Sequence, residues 1–233
     1  MSLSAFWRTT PNLGSPDGRI VGGGNALRGQ YPYQVSVHYC IRPDTCQHAC
    51  GGVIINAFWV LSAGHCITDA PAPGVGPHDL SLFRVATRFE FSYTVLVAPL
   101  PSVDEQIVGD VSVTGWGSIG GSSDNPIMPS SLQFAAVPYL NGTACKAALD
   151  IVLNGAPTPL DLDTNVCTGS YIGGTSICTG DSGGPLTYLS RELTIEVIGI
   201  TSWGLIPCGT AGAPSVYVKL FPYLDWIMDN VSS

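Results

Sequence analysis

The chain has 233 residues, 45% of them hydrophobic and only 11% charged. That balance gives a folded protein with a sizeable core and excludes a disordered one. The net charge of −8 argues against nucleic acid as a partner, and no stretch is long and apolar enough to span a membrane.

In chain order, residues 1–19 are polar, contain Gly and Pro, and read as a flexible leader. They hold no apolar h-region, so no signal peptide is visible. From Ile20 onward the chain shows short β-type runs between turn residues, among them 33–38, 52–61, 80–85, 110–114, 132–137 and 194–203. The 28 glycines and 18 prolines fit the many turns of an all-β fold. Two helices are expected. One is the Ala-rich run Thr143–Leu149. The other is Phe221–Val231, where Leu224, Ile227 and Val231 form an apolar stripe. The polar stretch Ser118–Ser131 is the expected boundary, which divides the chain into a leader (1–19), an N-terminal unit (20–117) and a C-terminal unit (118–233).

Eight cysteines, at 40, 46, 50, 66, 145, 167, 178 and 208, point to a disulfide framework and an oxidising, extracellular compartment. No Cys-x-x-Cys pair occurs and the four histidines are scattered, so a zinc site is not expected, nor any other metal or cofactor. Asn141-Gly142-Thr143 and Asn230-Val231-Ser232 are glycosylation acceptor patterns. Lys and Arg total only 9, which fits a protein exposed to proteases that cut after basic residues.

The densest signal is Gly180-Asp181-Ser182-Gly183-Gly184-Pro185, with Cys178 four residues before the serine. Glycine lets the chain turn sharply and aim backbone N–H groups at one point. A serine on such a turn can attack a carbonyl while neighbouring N–H groups hold the oxyanion. Taken alone, the motif reads first as an ordinary Gly-rich surface turn.

Other motifs tip that balance. Arg19-Ile20-Val21-Gly22-Gly23, Leu61-Ser62-Ala63-Gly64-His65-Cys66, Asp79-Leu80-Ser81-Leu82-Phe83-Arg84-Val85, Thr114-Gly115-Trp116-Gly117 and Ser202-Trp203-Gly204 accompany the serine motif. With these residues the chain resembles the chymotrypsin-like (trypsin-fold) serine proteases, arthropod digestive members in particular, from Ile20 to about Met228. The resemblance implies an all-β fold of two six-stranded antiparallel Greek-key barrels with a C-terminal helix. It implies Ser182 as nucleophile, His65 as general base and Asp79 as the group that orients it, in the order His, Asp, Ser. The N–H groups of Gly180 and Ser182 would form the oxyanion hole. Cleavage after Arg19 would free the Ile20 amine to pair with Asp181, and His48 resembles a residue that holds this aspartate before cleavage. Cys50 would pair with Cys66, Cys145 with Cys167 and Cys178 with Cys208. Cys40 and Cys46 remain, and are close enough in sequence to close a local loop.

By the same resemblance Ser176, Ser202, Trp203, Gly204 and Ser215 form the substrate pocket, with neutral Ser176 at its base. No carboxylate waits there for Lys or Arg. Gly204 leaves room for a bulky side chain and Ser215 narrows the base, so burial of apolar area drives selection. Large residues (Phe, Tyr, Leu, Met) are the first expectation and small ones the second.

One departure stands out. His65 and Asp79 lie only 14 positions apart, against about 45 in the chymotrypsin template. Roughly thirty residues are missing, as though an internal block holding two strands had been removed, so the N-terminal barrel is expected to be incomplete. The remaining stretch 67–78 can still reach about 40 Å at ~3.3–3.6 Å per residue, enough to bring the two together. The expected protein is a secreted, monomeric serine endopeptidase with protein or peptide substrates, an activating protease and protein inhibitors as partners. The alternative is an impaired homologue that acts as a binding protein, or a product with no function of its own.

Overall fold

The computed structural model describes residues 23–42, 44–67, 76–122, 125–169 and 172–232. In chain order these form β1 (Gly24–Asn25), β2 (Gln34–Arg42), β3 (Thr45–Ile54), β4 (Trp59–Ser62), β5 (Ser81–Arg84), β6 (Asp110–Gly115), β7 (Gly121–Ser122), β8 (Asn125–Pro126), β9 (Gln133–Leu140), α1 (Gly142–Val152), β10 (Asn165–Thr168), β11 (Pro185–Leu189), β12 (Ile195–Gly204), β13 (Ser215–Lys219) and α2 (Leu224–Val231).

Six antiparallel strands close on themselves in the order β6-β9-β10-β13-β12-β11, with β11 returning to β6; β1 adds to β9 from outside the ring. Side-chain alternation dictates the interior: Val111 and Val113 of β6, Ala135 and Val137 of β9, Leu186 of β11 and Ile198 of β12 share one core with Tyr217. The helix α1 is stapled to this barrel. Asn141 caps it, its Oδ1 accepting from the Ala144 N–H at 2.9 Å. Cys145 and Leu149, one turn apart, are fully buried against Cys167 and Val216, and burial of a leucine contributes about 1.5–3 kcal/mol.

The other sheet has four strands, ordered β2-β3-β4-β5, around Val35, Val37, Ile54, Val60, Phe83 and Val85. Between β5 and β6 the described residues add only an isolated bridge, Ser92 to Val95. The fold is therefore mostly β, with one closed six-stranded barrel, a smaller second sheet and a short C-terminal helix. A third apolar cluster joins the two: Tyr31, Tyr33, Val53, Leu61 and Ala98 pack on Val197, Ile200, Leu220 and Ile227.

Three expectations shift. The run 52–61 is two strands, not one, because Asn56 accepts the Phe58 N–H through its side chain at 2.8 Å and turns the chain. The strand 110–115, assigned by sequence to the N-terminal unit, is hydrogen-bonded into the second barrel. The stretch 118–131 carries the small β7–β8 hairpin.

Candidate active site

β4 and β5 pair antiparallel with Ser62 opposite Ser81. His65 follows the end of β4 in a short 3-10 turn, Gly64–Ile67, and Asp79 lies just before β5. The hairpin register alone therefore puts His65 and Asp79 at the same end of the same pair of strands. The Ser81 hydroxyl fixes this end by donating to the Ala63 carbonyl at 2.7 Å, and Cys50–Cys66 ties the turn to β3.

Asp79 is buried, and its carboxylate is crowded with donors. Oδ1 accepts the His65 backbone N–H at 2.8 Å, while Oδ2 meets His65 Nδ1 at 2.8 Å and the Ser202 hydroxyl at 2.6 Å. Burial alone raises this carboxyl's pKa, but the hydrogen bonds from His65 and Ser202 outweigh it and hold the group below its ordinary value. An ionised Asp79 fixes the His65 proton on Nδ1 and leaves Nε2 as the basic nitrogen. The adjoining His78 adopts a left-handed backbone, φ 67°, and its ring meets the Tyr223 hydroxyl.

The serine loop comes from the other barrel. It is folded by bonds from Asp181 N–H to Cys178 O and from Gly184 N–H to Asp181 O, both 3.0 Å, and from Gly183 N–H to Thr201 O at 2.8 Å. The Ser182 carbonyl accepts the Gly51 N–H of β3 at 2.7 Å, so the two sheets touch backbone to backbone here. Only glycine permits that approach. A Cβ on Gly183, whose φ is +80°, would fall 2.1 Å from Ser62 Oγ and 2.5 Å from the Gly51 carbonyl oxygen.

Asp181 is wholly buried and accepts the N–H groups of Gly117 (2.8 Å) and Cys178 (2.9 Å). Burial lifts its pKa to about 6, against the smaller opposing pull of those two bonds. Its expected partner Ile20, and Arg19, the residue expected to precede the cleaved bond, lie outside the described residues. His48 reaches Gly180 rather than the Asp181 carboxylate: its Nε2 donates to the Gly180 carbonyl at 2.8 Å and its Nδ1 accepts from Ser36 Oγ at 2.7 Å. Burial lowers the His48 pKa and favours this neutral, two-bond arrangement.

Behind the serine, Ser176 is buried and its hydroxyl donates to the Ile177 carbonyl at 2.9 Å. The Ile177 N–H donates to Ser215 Oγ at 3.3 Å, and Ser215 is paired with Gly204 across β12 and β13. The Ile177 side chain stands 3.4 Å from where a Gly204 Cβ would be. Ile177, which the sequence reading did not name, thus packs beside Gly204 among the residues expected to form the pocket; its position between Ser176 and Cys178 was the available signal. Ser202, assigned to the pocket, also binds Asp79. Trp203 follows Ser202 in β12, with its indole nitrogen buried.

The structure joins Cys40–Cys46, Cys50–Cys66, Cys145–Cys167 and Cys178–Cys208. The Cys50, His65 and Cys66 ligand atoms cluster together, but the two sulfurs are bonded to each other and supply no thiolate to a metal.

The sequence profile of the trypsin family matches residues 20–78 and 70–227. The chain belongs to the trypsin family. A glandular kallikrein of Sus scrofa is 30% identical over 256 residues, covering 92% of this chain and 96% of that protein. Trypsin II-P29 of Gallus gallus is 30% identical over 251 residues, covering 94% and 92%. The serine proteinase stubble of Drosophila melanogaster is 31% identical over 259 residues, covering 95% of this chain but 32% of that longer protein. Each alignment is longer than the chain itself, so each opens gaps opposite this trypsin-family member. The protein is a serine endopeptidase, and its four disulfides fit an oxidising, extracellular setting.

Proposed function

We propose that the chain cleaves peptide bonds through Ser182, His65 and Asp79, is switched on by cleavage after Arg19, and selects large apolar side chains. The observation that carries the reading is the double engagement of His65 by Asp79, through its backbone N–H and its ring, at the hairpin end facing the serine loop. Ser182 Oγ adds to the scissile carbonyl as its proton passes to His65 Nε2. The imidazolium, stabilised by Asp79, returns that proton to the leaving amine, and water then hydrolyses the acyl-enzyme by the same route. The Gly180 and Ser182 N–H groups would hold the oxyanion.

The neutral Ser176 and apolar Ile177 support the preference, since neither can pair with Lys or Arg. The short link between His65 and Asp79 reads as a lost block, which the hairpin register tolerates because it depends on β4 and β5 alone. The test is labelling of the cleaved protein with a fluorophosphonate, followed by peptide-library profiling. Stoichiometric label on Ser182, lost in Ser182→Ala, is expected, with cleavage after Phe, Tyr, Leu or Met. Soluble, folded, cleaved protein that takes no label would sink the proposal, and a dominant preference for basic residues would sink the pocket assignment.

A further inference from the structure

β12 runs through the barrel from Ile195 to Gly204, so Ser202 stands near one end and Glu196 near the other. At the far end the barrel mouth opens into a cavity of about 500 Å³, within the range of small-molecule sites, which favour such mouths. Its walls are Ile107, Tyr139 and Tyr188, all packed on the barrel core, together with Ile198 of that core. Its rim is acidic. Asp104 Oδ1 is held by Lys219 Nζ at 2.7 Å, and Glu105 Oε1 lies 2.9 Å from Arg191 Nε without a hydrogen bond between them.

Glu196 is different. It faces Tyr188 across the β11–β12 pair and lines the cavity, yet it is only 9% exposed. Among the described residues no cation or donor engages its carboxylate. Burial, then the nearby Glu105 and Glu192, raises its pKa. The Glu196 side chain is largely covered, but its carboxylate opens onto the cavity and no cation among the described residues neutralises it there, so a cation that enters the mouth meets an uncompensated charge.

We infer that this barrel mouth is a second binding site, distinct from the catalytic cleft, for an alkylguanidinium or alkylammonium group whose charge meets Glu196 and whose stem lies between Tyr139 and Tyr188. A calcium ion fits less well, because it needs six to eight oxygens, whereas Asp104 and Glu105 are already paired and the walls are aromatic. The charge can arrive on a free amine or on an arginine side chain of a peptide; both present the same chemistry.

The probes are agmatine, cadaverine and a blocked Gly-Gly-Arg-Gly-Gly peptide, titrated calorimetrically into Ser182→Ala protein so that turnover does not interfere. Agmatine should bind in the millimolar range or tighter. Glu196→Gln should weaken it about tenfold or more, and Glu90→Gln, an exposed control, should not change it. Tyr188→Trp, which fills the mouth but keeps the carboxylate, should also weaken it and gives the answer if Glu196→Gln does not fold. Peptide affinity equal to that of agmatine would identify a side chain as the source, and binding of agmatine alone a free amine. No agmatine binding at millimolar concentration, equal binding by wild type and both variants, or displacement of agmatine by calcium would overturn the inference. None of these readouts depends on peptidase activity.

Discussion

In the C-terminal half of the molecule six strands close into a ring, each with a ring neighbour on both sides. Among the described residues of the N-terminal half four strands end at β2 and β5, each of which has one neighbour. The candidate site takes His65 and Asp79 from the open sheet and Ser182 and Ser202 from the closed ring. The difference shows that the His65–Asp79 pair can be set by a single hairpin while its wider support is thin. Edge strands and uncovered apolar side chains lower local stability without moving the residues at the hairpin's end. Tyr39, Ile41, Phe91 and Tyr93, all in the open half, are exposed.

The strongest way to break this arrangement is at the seam between the halves. Gly183→Ala puts a methyl group on Ser62 Oγ and the Gly51 carbonyl in a left-handed backbone. It should cut kcat/KM at least ~1000-fold and cost about 2 kcal/mol or more in urea unfolding. Near-normal activity would show that the serine loop does not need its contact with β3.

The next effect lies wholly in the closed half. Unfolded, the Asp181 carboxyl titrates near 3.8; folded, near 6. The folded state therefore holds the proton more tightly. Below pH 4 both states are protonated and no penalty exists. Between pH 4 and 6 stability falls as pH rises, and above 6 the full loss, on the order of 3 kcal/mol, is present. Uncleaved protein should show this slope. Protein cleaved after Arg19 should lose it, because the freed Ile20 amine would supply the missing cation. Identical pH profiles for the two forms in urea unfolding would reject the switch.

Hydrogen exchange sharpens the comparison directly. Amides of β4 and β5 should exchange about thirtyfold faster than those of β12 and β13, through local opening that spares the closed ring. Equal protection would mean that the four-stranded sheet is as secure as the barrel.

The smallest effect crosses between the halves. Ser202→Ala removes one donor from Asp79 and should lower kcat about tenfold with little change in KM. It should also raise the pKa on the acid limb of the pH–rate profile, since one of the bonds that keeps Asp79 ionised is gone. An unchanged profile would leave Asp79 dependent on His65 alone.

Much was legible from the sequence because it is local. Side-chain alternation marked β2, β5, β6, β9 and β12. The Ala-rich run Thr143–Leu149 marked α1, and Gly180 and Gly183 marked a sharp turn, both adopting positive φ. Short motifs, each fixed by the backbone geometry its chemistry requires, pointed to His65, Asp79 and Ser182. What stayed hidden depends on contacts between residues far apart in the chain. Nothing in the local sequence says that 110–115 joins the second barrel, because pairing partners are chosen by the closure of the whole ring. Nor does it say that His48 takes the Gly180 carbonyl instead of the Asp181 carboxylate, that Ile177 packs beside Gly204, or that Ser202 reaches across to Asp79. A sequence position fixes a side chain's chemistry, whereas its partner is decided by which strands pack against one another, and that is a property of the assembled fold.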